Sequence, residues 1–96
     1  MTDQLTTFKE LVYDYQALPV IKERFPNAKV KDASDMVHDS RFEVEIEGVT
    51  QDEFYPFAIK EGIALLCLGF QTLMREDKDS QKECERWLEM SKSLTN

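Results

Sequence analysis

An alternation of apolar and acidic residues constrains the fold of this chain more than any other feature. In the segment SRFEVEIEGV, residues 40–49, an apolar row alternates with three glutamates. Successive side chains of a strand leave the backbone on opposite faces, so the pattern predicts a half-buried strand over 42–48. The apolar row is Phe42, Val44 and Ile46, and the acidic row is Glu43, Glu45 and Glu47.

A second, shorter strand is predicted at residues 28–32, where AKVKD places Lys29 and Lys31 on one face. The two strands can pair as an antiparallel hairpin in which these lysines face the acidic row. Opposite charges across strands stabilise a sheet by about 0.2 to 1 kcal/mol per pair. On this interpretation the glutamates form a solvated, partly neutralised surface.

Helical periodicity predicts the other elements. A first amphipathic helix is expected up to Leu18, and Pro19 opens a short second helix through VIKERF. From Phe57 to Met74 apolar residues cover nearly every side of the helix, which predicts a central, enclosed helix begun by a capping box at Thr50 and kinked or restarted at Pro56. A last helix is expected from the capping box SQKE. The stripe of the first helix is Leu5, Phe8, Leu11, Val12, Tyr15 and Leu18, and that of the last is Cys84, Trp87, Leu88, Ser91 and Leu94.

The resulting order is α-α-β-β-α-α. A chain of 96 residues with 42% hydrophobic content fits one domain, residues 1–96. The sequence therefore predicts a single small α+β domain in which a short antiparallel hairpin packs on a central apolar helix. Cys67 and Cys84 fall in apolar helical patterns, which favours reduced core thiols. We predict no membrane span and no secretory signal, and hence a cytoplasmic protein.

The formal net charge of −7 is confined to one part of the sequence. From Asp32 to Glu53 there are eight acids and one base, whereas acids and bases balance in the rest of the chain. Direct nucleic-acid binding is disfavoured because it depends on Lys and Arg, and a basic or nucleic-acid-binding protein partner is favoured. The glutamates of the acidic row would be about 7 Å apart along the strand, close to the phosphate spacing of a nucleic acid, which suggests mimicry.

The predicted partner-binding residues come from this acidic stretch and the aromatic residue that follows it. Tyr55 is expected at the surface, because its hydroxyl tolerates a wet rim, whereas Phe54 and Phe57 are expected in the core. The predicted set is Asp35, Asp39, Glu43, Glu45, Glu47, Asp52, Glu53 and Tyr55.

Three small residues indicate a different kind of contact. Ala58, Gly62 and Gly69 share one side of the predicted central helix, and a glycine inside a helix costs up to about 1 kcal/mol relative to alanine. Such a position suggests close backbone approach, either to another helix of the same domain or across a homodimer seam.

The residues that could carry chemistry are few. In DMVHD, Asp35 and Asp39 could raise the basicity of His38, although an exposed loop histidine is the favoured explanation of the pattern. One histidine and two aspartates lack the ligand set of a zinc motif, and Asp77 with Asp79 fits a helix cap better than a calcium loop. We predict no catalytic residue, metal or cofactor.

Three functions from different classes follow. The first is a non-enzymatic acidic protein that binds and inhibits another protein, in the manner of toxin-immunity proteins and phage-encoded anti-CRISPR or anti-restriction inhibitors, with nucleic-acid mimicry as its sharpest form. The second is a homo-oligomeric structural or assembly adaptor that uses the small-residue face. The third is a small enzyme or ligand binder that uses His38.

Overall fold

The computed structural model describes residues 7–37 and 40–94 and shows an α+β architecture, as predicted. A single 3-10 turn, Ala64–Leu66, interrupts the helical half. The order of strands and helices is β-α-β-β-α-α-α, which matches the predicted order only in part. The strands are β1 (Thr7–Val12), β2 (Lys29–Asp32) and β3 (Phe42–Glu47), and the helices are α1 (Ala17–Arg24), α2 (Gln51–Lys60), α3 (Leu68–Arg75) and α4 (Lys78–Ser93).

The sheet is antiparallel, with β3 between β1 and β2. The predicted hairpin of β2 and β3 is confirmed, and its register places Lys29 opposite Glu45 and Lys31 opposite Glu43. Because Val44 and Ile46 of β3 are fully buried, one face of the sheet is core and the other carries the acidic row.

The prediction of a helix at the start of the chain is wrong, because residues 7–12 form β1. Phe8, Glu10 and Val12 alternate inward, while Lys9 lies on the outer face. The apolar residues of this segment satisfy helical and strand spacing at once, so the pattern alone does not decide. Pairing with β3 along the whole length of β1 decides for the strand.

The short second helix is confirmed as α1, which begins at Ala17, two residues before Pro19. Helix α2 starts after Thr50, whose backbone is extended but whose side chain makes no capping hydrogen bond. The helix continues through Pro56 without a restart. The last helix, α4, is capped by Asp77, three residues before the predicted cap Ser80, because Asp77 accepts a hydrogen bond from the backbone N–H of Ser80 at 2.9 Å. The interpretation of Asp77 as a helix cap is therefore confirmed.

The predicted continuous central helix is wrong, because the chain stops being helical at Gly62. Gly62 has φ +78°, and its N–H bonds to the carbonyl of Ile59 while the N–H of Ile63 bonds to that of Ala58. These two bonds define a Schellman motif, in which glycine takes the left-handed position after the helix. The apolar segment 57–74 is thus divided between α2, the 3-10 turn and α3.

Aromatic rings fill the space between the sheet and the helices. Phe8 stacks on Phe54 with ring centroids 4.5 Å apart, and Tyr55 contacts Trp87 at 4.8 Å. Cys67 is buried and Cys84 is partly buried, and both are free thiols, as predicted. Within the described part of the chain, no helix combines the length and the apolar character needed to cross a bilayer.

Candidate functional site

The three predicted glutamates of β3 lie on a surface that also carries three lysines. Glu45 is opposite Lys9 of β1 and Lys29 of β2, and Glu43 is opposite Lys31 of β2. Lys9 faces the glutamates only because residues 7–12 are a strand rather than a helix. The formal charges on this sheet face therefore cancel, so the acidic row does not form a bare negative surface. The sheet face comprises Lys9, Lys29, Lys31, Glu43, Glu45 and Glu47.

The loop between β2 and β3 uses one of its predicted acids internally. Asp35 accepts from Nη2 of Arg41 at 2.8 Å, and Nε of Arg41 donates to the carbonyl of Ala33 at 2.9 Å. Arg41, the one basic residue of the acidic stretch, therefore forms these hydrogen bonds within the loop. Asp39 and His38 lie outside the described residues, so the proposed grouping of His38 with two aspartates remains a prediction.

Asp52 connects two helices. Its Oδ1 accepts from Nη2 of Arg86 at 2.7 Å and from Nε1 of Trp87 at 2.8 Å, so the first turn of α2 is fixed to α4. These two hydrogen bonds hold the pKa of Asp52 below its ordinary value. Asp52 is consequently a structural residue in addition to its place in the acidic stretch.

The expectation that Tyr55 is exposed is wrong, since only 2% of the residue is accessible. Helix α2 is covered on two sides, by the sheet and by α4, so adjacent residues Phe54 and Tyr55 are both enclosed. The hydroxyl of Tyr55 donates to Oε1 of Glu10, a carboxyl group that sequence analysis missed. The aromatic ring expected to touch a partner instead holds β1 against α2.

Glu10 is a buried carboxyl group, 5% exposed, at the junction of β1, α2 and α3. Besides Tyr55, its Oε2 accepts from the backbone N–H of Gly69 at 2.5 Å and from that of Leu11 at 3.2 Å. Burial raises the pKa of Glu10, although each of these hydrogen bonds acts to lower it. Burial and the nearby carboxylate also raise the pKa of Tyr55. Glu10 lies between Phe8 and Val12 in the inward-facing row of β1. An acidic residue in an otherwise apolar row is the sequence signal that could have identified a buried carboxyl group.

A cavity of about 430 Å³ lies beside this cluster, with Glu10 and Tyr55 in its wall. A carboxyl group with a raised pKa in a cavity is a common mark of an active site. Here both carboxyl oxygens already accept hydrogen bonds from the protein. The carboxyl group of Glu10 therefore has a structural role, in which it links β1 to α2 and α3.

The three small residues do not share a helix face. Ala58 is fully buried in α2, Gly62 ends that helix, and Gly69 lies in α3. A Cβ on Gly69 would lie 2.7 Å from both Glu10 Oε1 and Tyr55 OH, so its close approach is to the buried cluster. The predicted seam is thus dispersed, and the homodimer hypothesis no longer rests on it.

Among α1, α2 and α4 lies a groove of about 530 Å³ that contains two of the predicted residues. We call it the acid-rimmed groove. Asp52 and Glu53 lie on its rim together with Glu23 of α1 and Glu61, which follows α2. Its apolar lining consists of Val20, Pro56, Phe57, Met90 and Leu94, and its two basic residues are Arg24 and Lys60.

The two basic residues of the acid-rimmed groove contact other groups rather than its carboxylates. The guanidinium of Arg24 lies 4.7 Å from the centroid of the Phe25 ring, and Nζ of Lys60 donates to the carbonyl of Leu94 at 2.9 Å. Within residues 7–37 and 40–94, the exposed side chains of Glu23, Glu53 and Glu61 make no ion pair and no hydrogen bond. Three carboxylates are therefore available to an incoming cation.

A second groove, of about 410 Å³, separates the turn after α2 from α4. Three large apolar residues border it with much of their surface in solvent: Leu65 is 61% exposed, Leu88 45% and Met74 44%. We call it the apolar groove, since Glu85 is the one charged residue among those that line it. Gly62 also lines the apolar groove, so one of the three small residues predicted to form a contact face lies at an open surface.

Sequence analysis missed Glu23 and Glu61 because each lies beside a base, Arg24 and Lys60 respectively, and the local charge sums to zero. Among the residues that the structure describes, no three His, Cys, Asp or Glu side chains come together in a group that could hold a metal ion. Comparisons with protein-family models, with curated proteins and with solved structures found no match for this chain.

Proposed function

We propose that this chain is a non-enzymatic cytoplasmic protein that binds a basic partner protein through the acid-rimmed groove and inhibits it. The observation that supports the proposal is the set of three unpaired carboxylates, Glu23, Glu53 and Glu61, around an apolar lining. A charged rim and an apolar centre are the usual anatomy of a protein interface. Covering a basic surface blocks whatever anionic ligand that surface binds, such as a nucleic acid.

The sheet face supports the proposal less well than the acid-rimmed groove. Its three glutamates share the face with three lysines, of which two lie opposite Glu45 and one opposite Glu43, and a phosphate mimic requires uncompensated negative charge. The difference in charge between the two surfaces affects recognition. A surface of complementary electrostatic potential raises the association rate with a basic partner and disfavours acidic partners. The mimic form therefore stays a secondary prediction, and Asp52 and Glu53 are the residues of the acidic stretch that the proposal retains.

The experiment compares two triple variants that remove the same formal charge. One is Glu23→Gln, Glu53→Gln and Glu61→Gln in the acid-rimmed groove, and the matched control is Glu43→Gln, Glu45→Gln and Glu47→Gln on the sheet face. A partner is captured from the native host, purified, and assayed for its own activity with each variant. We expect the groove triple to weaken binding and inhibition about 10-fold or more, and the control to have little effect.

Each alternative outcome has a distinct meaning. Equal losses for the two triples would show that only net charge matters. A larger loss for the sheet-face triple would restore the mimic form. A purified partner whose activity is unchanged by binding would remove inhibition from the proposal.

A second candidate function, homo-oligomeric assembly, is favoured by the apolar groove alone. Leu65 and Leu88 line the same groove and leave apolar surface in solvent, and exposed apolar patches commonly mark an interaction site. Analytical ultracentrifugation over a wide concentration range tests it. A dimer that Leu88→Glu dissociates would support assembly, and a monomer at every concentration would exclude it.

A further inference from the structure

We infer that the occupant of the acid-rimmed groove is an amphipathic helix of the partner that carries Lys or Arg beside apolar residues. This inference rests on the proposed function and specifies the chemistry of the partner. It follows from three features of the groove: which elements form its walls, what lines its centre, and which charges on its rim are unpaired.

Most of the residues that form the walls of the groove come from helices. Val20 and Glu23 come from α1, Glu53 and Phe57 from α2, and Met90 from α4. Helices α1 and α2 each contribute residues three or four positions apart, the spacing of one helix face. Backbone N–H and C=O groups of these helices are engaged in their own ladders, so the groove offers no strand edge to an extended peptide. An incoming segment therefore gains no backbone pairing from the groove, which favours a helix over a strand.

The lining sets what the inner face of that helix must carry. Pro56 and Phe57 are buried, Met90 is partly buried, and Leu94 is 45% exposed, so the groove deepens from an open end towards α2. Apolar side chains at helical spacing would cover this lining and displace water from it. A purely charged helix would leave it wet.

The rim sets what the flanks of the helix must carry. Glu23 belongs to α1 and Glu61 follows α2, so the two carboxylates come from different elements around the groove, and neither is paired within the described residues. Lys and Arg suit such a rim because their apolar stems can rest on the lining while the charged ends reach the carboxylates. The same rim repels acidic helices and nucleic-acid phosphates.

The test uses a display library of random helical peptides panned on the immobilised full chain. We expect the enriched peptides to combine Lys or Arg with apolar residues at helical spacing. Synthetic versions are then titrated against the wild type and two variants by fluorescence anisotropy. Leu94→Glu places a charge in the acid-rimmed groove, and Leu88→Glu places the same charge in the apolar groove at a residue of equal exposure, 45%.

The expected result is a loss of affinity of about 10-fold or more for Leu94→Glu and almost none for Leu88→Glu. Enriched peptides that are acidic, that bind without helical structure by circular dichroism, or that respond only to Leu88→Glu would overturn the inference, as would a library that yields no binder. Failure here is distinguishable from failure of the proposed function. A host partner that depends on Glu23, Glu53 and Glu61 but not on Leu94 would keep the function and remove the helix.

Discussion

Two carboxyl groups, Glu10 of β1 and Asp52 in the first turn of α2, show that burial decides how a hydrogen-bonded carboxyl group ionises. Glu10 accepts from the hydroxyl of Tyr55, and Asp52 accepts from Nε1 of Trp87, while the two aromatic rings contact each other at 4.8 Å. Glu10 is 5% exposed, whereas the Asp52 side chain is 52% exposed. Burial raises the pKa of Glu10, and the bonds from Arg86 and Trp87 lower the pKa of Asp52.

A hydrogen-bond donor next to a carboxyl group does not by itself determine whether that carboxyl group is charged. At Asp52, water supports the charged form and Arg86 adds a cation. At Glu10, two backbone N–H groups and one hydroxyl replace water without bringing a positive charge. The first site is an ordinary surface ion pair, and the second is a polar junction inside the core whose partners all depend on one side chain.

The largest expected effect comes from removing each carboxyl group in turn. Glu10→Ala leaves the hydroxyl of Tyr55 and the N–H of Gly69 unpaired and opens a cavity, so we expect a loss of about 3 kcal/mol or more in the free energy of unfolding. Asp52→Ala breaks a half-exposed ion pair that solvent screens, and it leaves Nε1–H of the buried Trp87 without its partner, so we expect a smaller loss of about 1 to 2 kcal/mol. Urea unfolding followed by circular dichroism measures both. Equal losses would contradict the contrast between the two sites.

A somewhat smaller effect is expected for Gly69→Ala. Helix propensity alone would make alanine stabilising here by about 1 kcal/mol, because Gly69 lies in α3 with an ordinary helical backbone. The added Cβ would instead lie 2.7 Å from Glu10 Oε1 and from Tyr55 OH. We expect a net loss of about 1 to 3 kcal/mol from this overpacking, measured by the same urea titration.

A double-mutant cycle isolates that contact. Tyr55→Phe removes the hydroxyl oxygen that the new Cβ would meet, so Gly69→Ala should cost less in the Tyr55→Phe background than in the wild type. Additive effects of the two substitutions would show that the alanine acts through the helix rather than through the junction.

The smallest expected effect is on the pH dependence of the free energy of unfolding, to which Glu10 and Asp52 contribute with opposite signs. The pKa of Glu10 is raised from 4.5, so its contribution to stability is present below that value and is lost as the pH rises through the native pKa. The pKa of Asp52 is lowered from 3.8, so its contribution is present above that value and is lost as the pH falls through the native pKa. Urea unfolding at a series of pH values should show a decline above about 4.5 that Glu10→Gln flattens. Parallel curves for wild type and Glu10→Gln would mean that Glu10 does not titrate in this way.

The elements that could be predicted from the sequence are those determined by residues close together along the chain. The alternation in β3, the proline in α1 and the acid before α4 are local signals, and each gave the right element. The first strand could not be assigned in this way, because its apolar residues fit two periods and its partner β3 begins 30 residues after Val12. The end of α2 was predictable in principle, since Gly62 is a helix stop signal, but the apolar residues on both sides of it concealed the break.

The candidate site was predictable only by half. Asp52 and Glu53 stand in the acidic stretch, but Glu23 and Glu61 have a base as a neighbour in sequence and look neutralised. Their charge becomes available only in the folded chain, where the neighbouring bases lie over Phe25 and against the carbonyl of Leu94. Conversely, the sequence predicted lysines opposite the acidic row from β2 alone, and Glu45 also acquires Lys9 once β1 joins the sheet. Net charge along the chain is therefore a poor guide to net charge on a surface.

The central position of β3 has a consequence for how the domain is assembled. Strand β2 meets β3 by closing a connection of 10 residues, from Asp32 to Phe42, whereas β1 must wait for a closure of 30 residues, from Val12 to Phe42. Tripling the loop adds about 1 kcal/mol of closure entropy, so the hairpin should form before β1 docks. The first of the three strands to leave the ribosome is then the last to join the sheet. Until β3 has been synthesised, Phe8 and Val12 have no strand to pair with, and this interval is when the nascent chain is most exposed to aggregation.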